Sequence, residues 1–130
     1  MIVDTSALIA ILEQEPEAER MARAIAGASG ASLCSATLVE AGIVVQARRG
    51  DEGARDLDLL IAKLGIVLEP FTPRQADLAR KAYRRFGRGQ HQAALNLGDC
   101  FVYALAIDTS KPLLAKGKDV QQTDLLLAPF

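Results

Sequence analysis

Histidine and cysteine are scarce in this chain: His91 is the only imidazole, and the two thiols, Cys34 and Cys100, lie in separate apolar runs without a CxxC spacing. No His and Cys set has the spacing of a zinc site. A disulfide framework is not expected either, and both thiols read as buried and reduced, as in a cytosolic protein. An excess of positive charge is also missing. Fifteen Lys and Arg stand against sixteen Asp and Glu, a net charge of −1, which argues against a protein that coats nucleic acid with a broad basic surface. No basic stretch precedes Met1-Ile2-Val3, so a secretory signal is not expected. The longest uncharged stretch, Ala24 to Val39, has 16 residues interrupted by Gly and Ser, too short and too polar to span a bilayer.

What is present is ordinary globular composition, half of it apolar and about a quarter charged. The 130 residues suit one domain, residues 1–130, able to bury roughly two-thirds of its unfolded surface without a staple. Short apolar runs alternate with longer amphipathic segments, the pattern of an α/β domain with a mainly parallel sheet. Strands are expected at Met1 to Val3, Ser32 to Cys34, Ile66 to Leu68 and Pro112 to Ala115, with a last edge strand at Leu125 to Leu127. Helices are expected from Ser6 to Leu12, from Pro16 to about Ala26, and from Leu38 to about Arg48 with Ser35 or Thr37 as cap. Gly50 closes that helix and Asp51 opens the next. Thr72-Pro73 starts another that runs to Phe86, a glycine-punctuated, flexible-looking loop spans Gly87 to Gly98, and an apolar helix runs from Asp99 to Ile107.

The chemical signal lies in isolated acids. Asp4 is the one charge between Met1 and Leu12, Glu40 the one between Ala24 and Ala47, and Asp99 the one between Asn96 and Ile107. Each interrupts a segment that should face the core, where an unpaired carboxylate costs several kcal/mol or takes up a proton. Asp4 at the carboxyl end of the first strand, Glu40 on the helix after the second, Asp99 at a helix start and Asp119 after the Leu113-Leu114-Ala115 strand would meet at one edge of the sheet. A hard divalent cation, Mg²⁺ or Mn²⁺, is the simplest shared reason for such a set. The plainer alternatives are helix caps at Asp4 and Asp99, an arginine partner such as Arg48 for Glu40, and solvation of Asp119, with Asp124 as its rival.

Four segments carry a resemblance: Met1-Ile2-Val3-Asp4-Thr5-Ser6-Ala7, Glu40 after Ser35-Ala36-Thr37-Leu38-Val39, Leu97-Gly98-Asp99-Cys100-Phe101, and Leu113-Leu114-Ala115-Lys116-Gly117-Lys118-Asp119. In this order they resemble PIN-domain ribonucleases, and more closely the VapC toxins of prokaryotic toxin–antitoxin pairs. The resemblance implies a PIN-domain-like three-layer α/β/α fold and a metal-dependent endoribonuclease. Asp4, Glu40, Asp99 and Asp119 would form its acidic cluster, Asp4 and Asp99 as the most direct ligands of Mg²⁺ or Mn²⁺, with Ser6 supporting. It departs at the fourth position, where relatives commonly have Asn before the Asp and Phe after it and this chain has Lys118 and Val120. It further implies an RNA substrate, a VapB-like antitoxin in a higher hetero-oligomer, a homodimer and a cytoplasmic location.

Arg84, Arg85 and Arg88 beside the Gly-rich loop, with Lys118, are candidate RNA contacts, and Arg48, Arg49 and Lys116 provide further bases, against the plainer reading of solvated, dipole-favoured helix ends. His91 reads as a surface or substrate-contacting residue. Two alternatives to a nuclease are a non-catalytic interaction module of the same fold and a receiver-like phosphoacceptor domain. The latter needs an acid pair after its first strand, and none is present.

Overall fold

A computed structural model describes residues 1–130. Four short strands, β1 (Ile2–Val3), β2 (Ser32–Cys34), β3 (Val67–Glu69) and β4 (Leu113–Leu114), form one sheet in the order β3-β2-β1-β4. Every pairing is parallel, as the alternation of strand-like and helix-like segments predicts. The period of two along each strand divides the core. Ile2, Cys34 and Leu113 point to one side and pack with helices α4 (Pro73–Phe86) and α5 (Leu97–Thr109). Val3, Leu33 and Leu114 point to the other, against α1 (Thr5–Leu12), α2 (Ala18–Ala26) and α3 (Ser35–Lys63). The result is three layers, α/β/α. No helix is long and apolar enough to cross a membrane.

The expected break at Gly50 is a kink inside α3: Gly50 has φ 63° and ψ −154°, the only non-helical residue in that span. A positive φ at this point is what glycine permits at little cost. Two bonds brace the bend, Gln46 Nε2 to Asp51 Oδ1 at 2.9 Å and the ion pair of Arg49 with Asp56.

Several expectations shift. Helix α3 starts at Ser35, directly out of β2, with Cys34 at the cap position and no side-chain cap. Neither Ser35 nor Thr37 caps it: Ser35 Oγ accepts from Phe71 N at 3.1 Å, tying down the chain after β3, and Thr37 is fully buried. Helix α2 begins at Ala18, so Pro16 stands just ahead of its first turn. Strand β3 sits one residue later than expected. Leu125 to Leu127 forms only an isolated parallel bridge, Leu113 to Leu127, because just two bonds reach it, Leu113 N to Leu126 O and Ala128 N to Leu113 O. The Gly87–Gly98 loop is pinned rather than loose. Leu95 N donates to Phe86 O and Arg88 N to Leu95 O, and the His91 ring stands edge-on to Phe86 with Nδ1 accepting from Ala93 N at 3.0 Å. Both cysteines are free and buried.

Candidate active site

Asp4 follows β1 and caps α1: its Oδ2 accepts from Ser6 N at 3.0 Å and from Ser6 Oγ at 2.5 Å. The cap reading is therefore correct, but it leaves an acid only 8% exposed with no basic partner. Ser6 is held in turn, since its Oγ accepts from Lys116 N at 3.0 Å. With that lone pair occupied, the Ser6 hydroxyl proton is directed at Asp4. Burial pushes the Asp4 carboxyl above its ordinary range, and the Ser6 and Thr5 bonds offset this only in part.

Glu40 projects from the first turns of α3, and its Oε2 accepts from Thr5 Oγ1 at 3.1 Å. Arg48 makes no ion pair with it, so the arginine-partner reading fails. Gly98, at the head of α5, is what admits the carboxylate: a Cβ there would overlap both Glu40 oxygens. Burial raises the Glu40 pKa as well, with the Asp4 charge adding to it.

Asp99 is not the cap of α5. Asn96 is, its side chain accepting from Asp99 N while Asp99 Oδ2 accepts from Asn96 N, both at 2.9 Å, a reciprocal capping box. The helix therefore starts two residues earlier than expected and places Asp99 in its first turn. Burial, then the charges of Asp4, Asp119 and Glu40, push the Asp99 carboxyl up to about 6.

Asp4, Glu40 and Asp99 thus line one open cleft of about 430 Å³, together with Thr5, Ser6, Arg48 and Lys116. Asp119 stands exposed just ahead of a short 3₁₀ turn, Val120–Gln122, near enough for its charge to be felt at Asp99. Its rival Asp124 is engaged elsewhere, accepting from Tyr103 Oη and pairing with Arg85, each at 2.7 Å. None of Asp4, Glu40, Asp99 or Asp119 belongs to an ion pair, and the one lysine on the cleft wall, Lys116, is bound to Glu15 and Glu17.

This donor set fits a hard divalent cation. Carboxylate oxygens are the ligands Mg²⁺ and Mn²⁺ prefer, and an ion there would offset both the burial that raises all three pKa values and the mutual repulsion that adds to it at Glu40 and Asp99. No three of these acids form a group that could hold a metal ion by themselves; Mg²⁺ commonly keeps several waters and takes one or two protein carboxylates directly.

The expected RNA-contacting bases are not on the cleft wall. Arg85 is held by Asp124 and lies over the Phe86 ring, while Arg84, Arg88 and Lys118 are exposed outside the lining. Sequence reasoning passed over Thr5 and Gly98 as partners of Glu40. It also missed the significance of Glu40, Val44 and Arg48 lining the same wall, although their spacing of four was visible. Helix α1 turns Ala7, Leu8, Ile9 and Ala10 into the core. The exposed apolar side chains nearest the cleft are Val39, Ile43 and Leu97.

A parallel α/β sheet with acids collected beyond its strand ends is the arrangement of a PIN domain, and the PIN domain family model matches residues 1–126. Ribonuclease VapC28 of Mycobacterium tuberculosis is 52% identical over 124 residues, covering 95% of this chain and 93% of that protein. Among solved structures, the crystal structure of Mycobacterium tuberculosis VapC20, a sarcin–ricin loop cleaving toxin, aligns with a TM-score of 0.77 at 18% identity, covering 98% of both chains. A toxin–antitoxin complex from Klebsiella pneumoniae aligns with a TM-score of 0.72 at 15% identity, covering 99% of this chain and 97% of the other. The chain belongs to the PIN-domain family, in its VapC ribonuclease branch. The receiver-like alternative ends there.

Proposed function

We propose that this protein is a Mg²⁺- or Mn²⁺-dependent endoribonuclease toxin that hydrolyses RNA phosphodiester bonds. The observation that carries the reading is the gathering of Asp4, Glu40 and Asp99 in one cleft with no basic partner for any of them. Asp4 and Asp99 would hold the ion, with Asp119 completing the acidic set from the β4 side. Bound there, a divalent cation supplies charge neutralisation at the scissile phosphate and acidifies the attacking water. Ser6 orients Asp4, the capping box orients Asp99, and Thr5 with Gly98 sets Glu40. Glu40 or Asp119 would act as the base that takes the proton of the attacking water.

Kinship with VapC28 and with the toxin–antitoxin complex supports a VapB-like antitoxin as partner in a higher hetero-oligomer, and a cytoplasmic location. A homodimer belongs to the same reading, with Val39, Ile43 and Leu97 as the apolar surface available to it. The test is cleavage of RNA with Mg²⁺ or Mn²⁺. Asp4→Asn and Asp99→Asn are expected to abolish it while the circular dichroism spectrum stays native, and EDTA to abolish it in the parent protein. Full activity in either variant sinks the reading. Parent protein that holds the ion but cuts no RNA would point to the non-catalytic interaction module.

A further inference from the structure

Arg48 is the one base on the wall of the acidic cleft that no acid of this chain holds. Its neighbour Arg49 is turned back to Asp56 across the Gly50 kink, and Gln46 spans the same kink to Asp51. These bonds fix the end of the helix segment from which Arg48 projects. Arg48 itself is exposed and takes no part in an ion pair or side-chain hydrogen bond, so the fold does not require its charge. Glu40, Val44 and Arg48 lie along one wall, and eight residues of α-helix set the roots of Glu40 and Arg48 about 12 Å apart.

That separation matters for a polyanion. Each nucleotide of an RNA strand brings a phosphate into a cleft already crowded with carboxylates. A divalent ion among the acids offsets charge at the reacting phosphate, and the phosphates beside it need a counter-charge of their own. A guanidinium fork matches two phosphate oxygens, and its charge does not depend on pH. Lys116, the other base of the wall, is already committed to Glu15 and Glu17.

We propose that Arg48 binds an RNA phosphate flanking the one that is cut, and so lays the strand along α3 across the acids. The inference rests on the nuclease reading above. Among the bases the sequence offers, it puts the RNA contact on Arg48, two helical turns from Glu40, rather than on Arg84, Arg85 and Arg88. Because Arg48 touches the strand away from the reacting atoms, its contribution falls on substrate affinity rather than on the chemical step.

The test is binding of a short fluorescein-labelled single-stranded RNA, followed by anisotropy in Ca²⁺ over a range of salt, with cleavage in Mn²⁺ measured separately. Arg48→Ala is expected to weaken binding about tenfold, the loss of one charge-assisted contact. The slope of log affinity against log salt should become shallower by about 0.7, the share of one single-strand phosphate. Arg48→Lys should keep the slope while losing part of the affinity, and kcat should change little in either variant. Arg55→Ala removes the same charge at an exposed position outside the cleft lining and should match the parent. An Arg48→Ala slope equal to the parent's overturns the proposal, as does an equal loss in Arg55→Ala. If the parent binds RNA but cuts none, the nuclease reading fails and the Arg48 contact is still decided by the slope. If the parent binds no RNA, both fail.

Discussion

Replacing Asp99 with Asn should make the metal-free protein more stable. Asp99 carries a carboxyl pushed from 3.8 to about 6 by burial and by the charges of Asp4, Asp119 and Glu40, so folding without a cation forces an unfavourable ionisation. The full shift corresponds to about 3 kcal/mol at about 1.4 kcal/mol per unit. Asp99 is only partly buried, so solvent screening reduces this, and loss of a favourable charge at a helix N-terminus takes back a few tenths. A net gain of about 1 kcal/mol remains, or roughly 3–5 °C in Tm for a domain of this size. Asn retains the capping bond, because its carbonyl oxygen accepts from Asn96 N as Asp99 Oδ2 does.

The sign of the pH dependence follows from the direction of the shift. The folded pKa lies above the unfolded one, so the folded state holds more protons between 3.8 and about 6, and stability falls as pH rises through that window. The advantage of Asn should therefore be full at about pH 7.5 and reduced to about half at about pH 5, vanishing only below the unfolded pKa of 3.8. Thermal and urea unfolding in EDTA at the two pH values measures it. Adding Mn²⁺ should reverse the order, since a ligand at a hundred times its Kd stabilises the parent by about 2.7 kcal/mol and the variant has lost a ligand. An Asn variant less stable than the parent in EDTA at the higher pH, or a gap of the same size at both pH values, would refute the electrostatic account of this cleft.

Gly98→Ala should leave Tm unchanged or slightly raised, because Ala is the better helix former by about 1 kcal/mol, yet cut cleavage by about tenfold or more through displacement of Glu40; an active Gly98→Ala protein would show that Glu40 need not sit where it does. Asp124→Asn should lose roughly 0.5–1 kcal/mol of stability, from its bonds to Arg85 and Tyr103, and keep its activity. Asp119→Asn should do the reverse, and unfolding curves run beside cleavage assays would expose an exchange of these two roles.

The lone acids were legible because charge is costly in an apolar segment, and Asp4, Glu40 and Asp99 do share a cleft. Gly50 was legible for the same kind of reason, as a helix closer that the chain uses as a kink. Local rules misled where two structures compete for one residue. Ser35 and Thr37 have cap chemistry, but β2 runs straight into α3; the Ser35 hydroxyl bonds Phe71 N instead, and the Thr37 hydroxyl is buried without a partner. Asp99 has cap chemistry too, but Asn96 takes the position and Asp99 answers it. Contacts across the fold leave no local trace: Thr5 meets Glu40 thirty-five residues on, and the vacancy at Gly98 has meaning only once α3 and α5 are packed. The arginines beside the Gly-rich loop attracted notice by crowding, whereas lining the cleft depends on helix phase, which favours Arg48.

Gly98 and Glu40 lay claim to one volume, and this ties their histories together. A lineage that keeps the acid has to keep the glycine, since any side chain at 98 evicts the carboxylate. One that has lost the acid is free to fill the space, and gains helix stability by doing so. On the proposed role of Glu40, position 98 would then record past selection: in relatives of this chain, a bulkier residue there would mark a fold retained after the chemistry was given up.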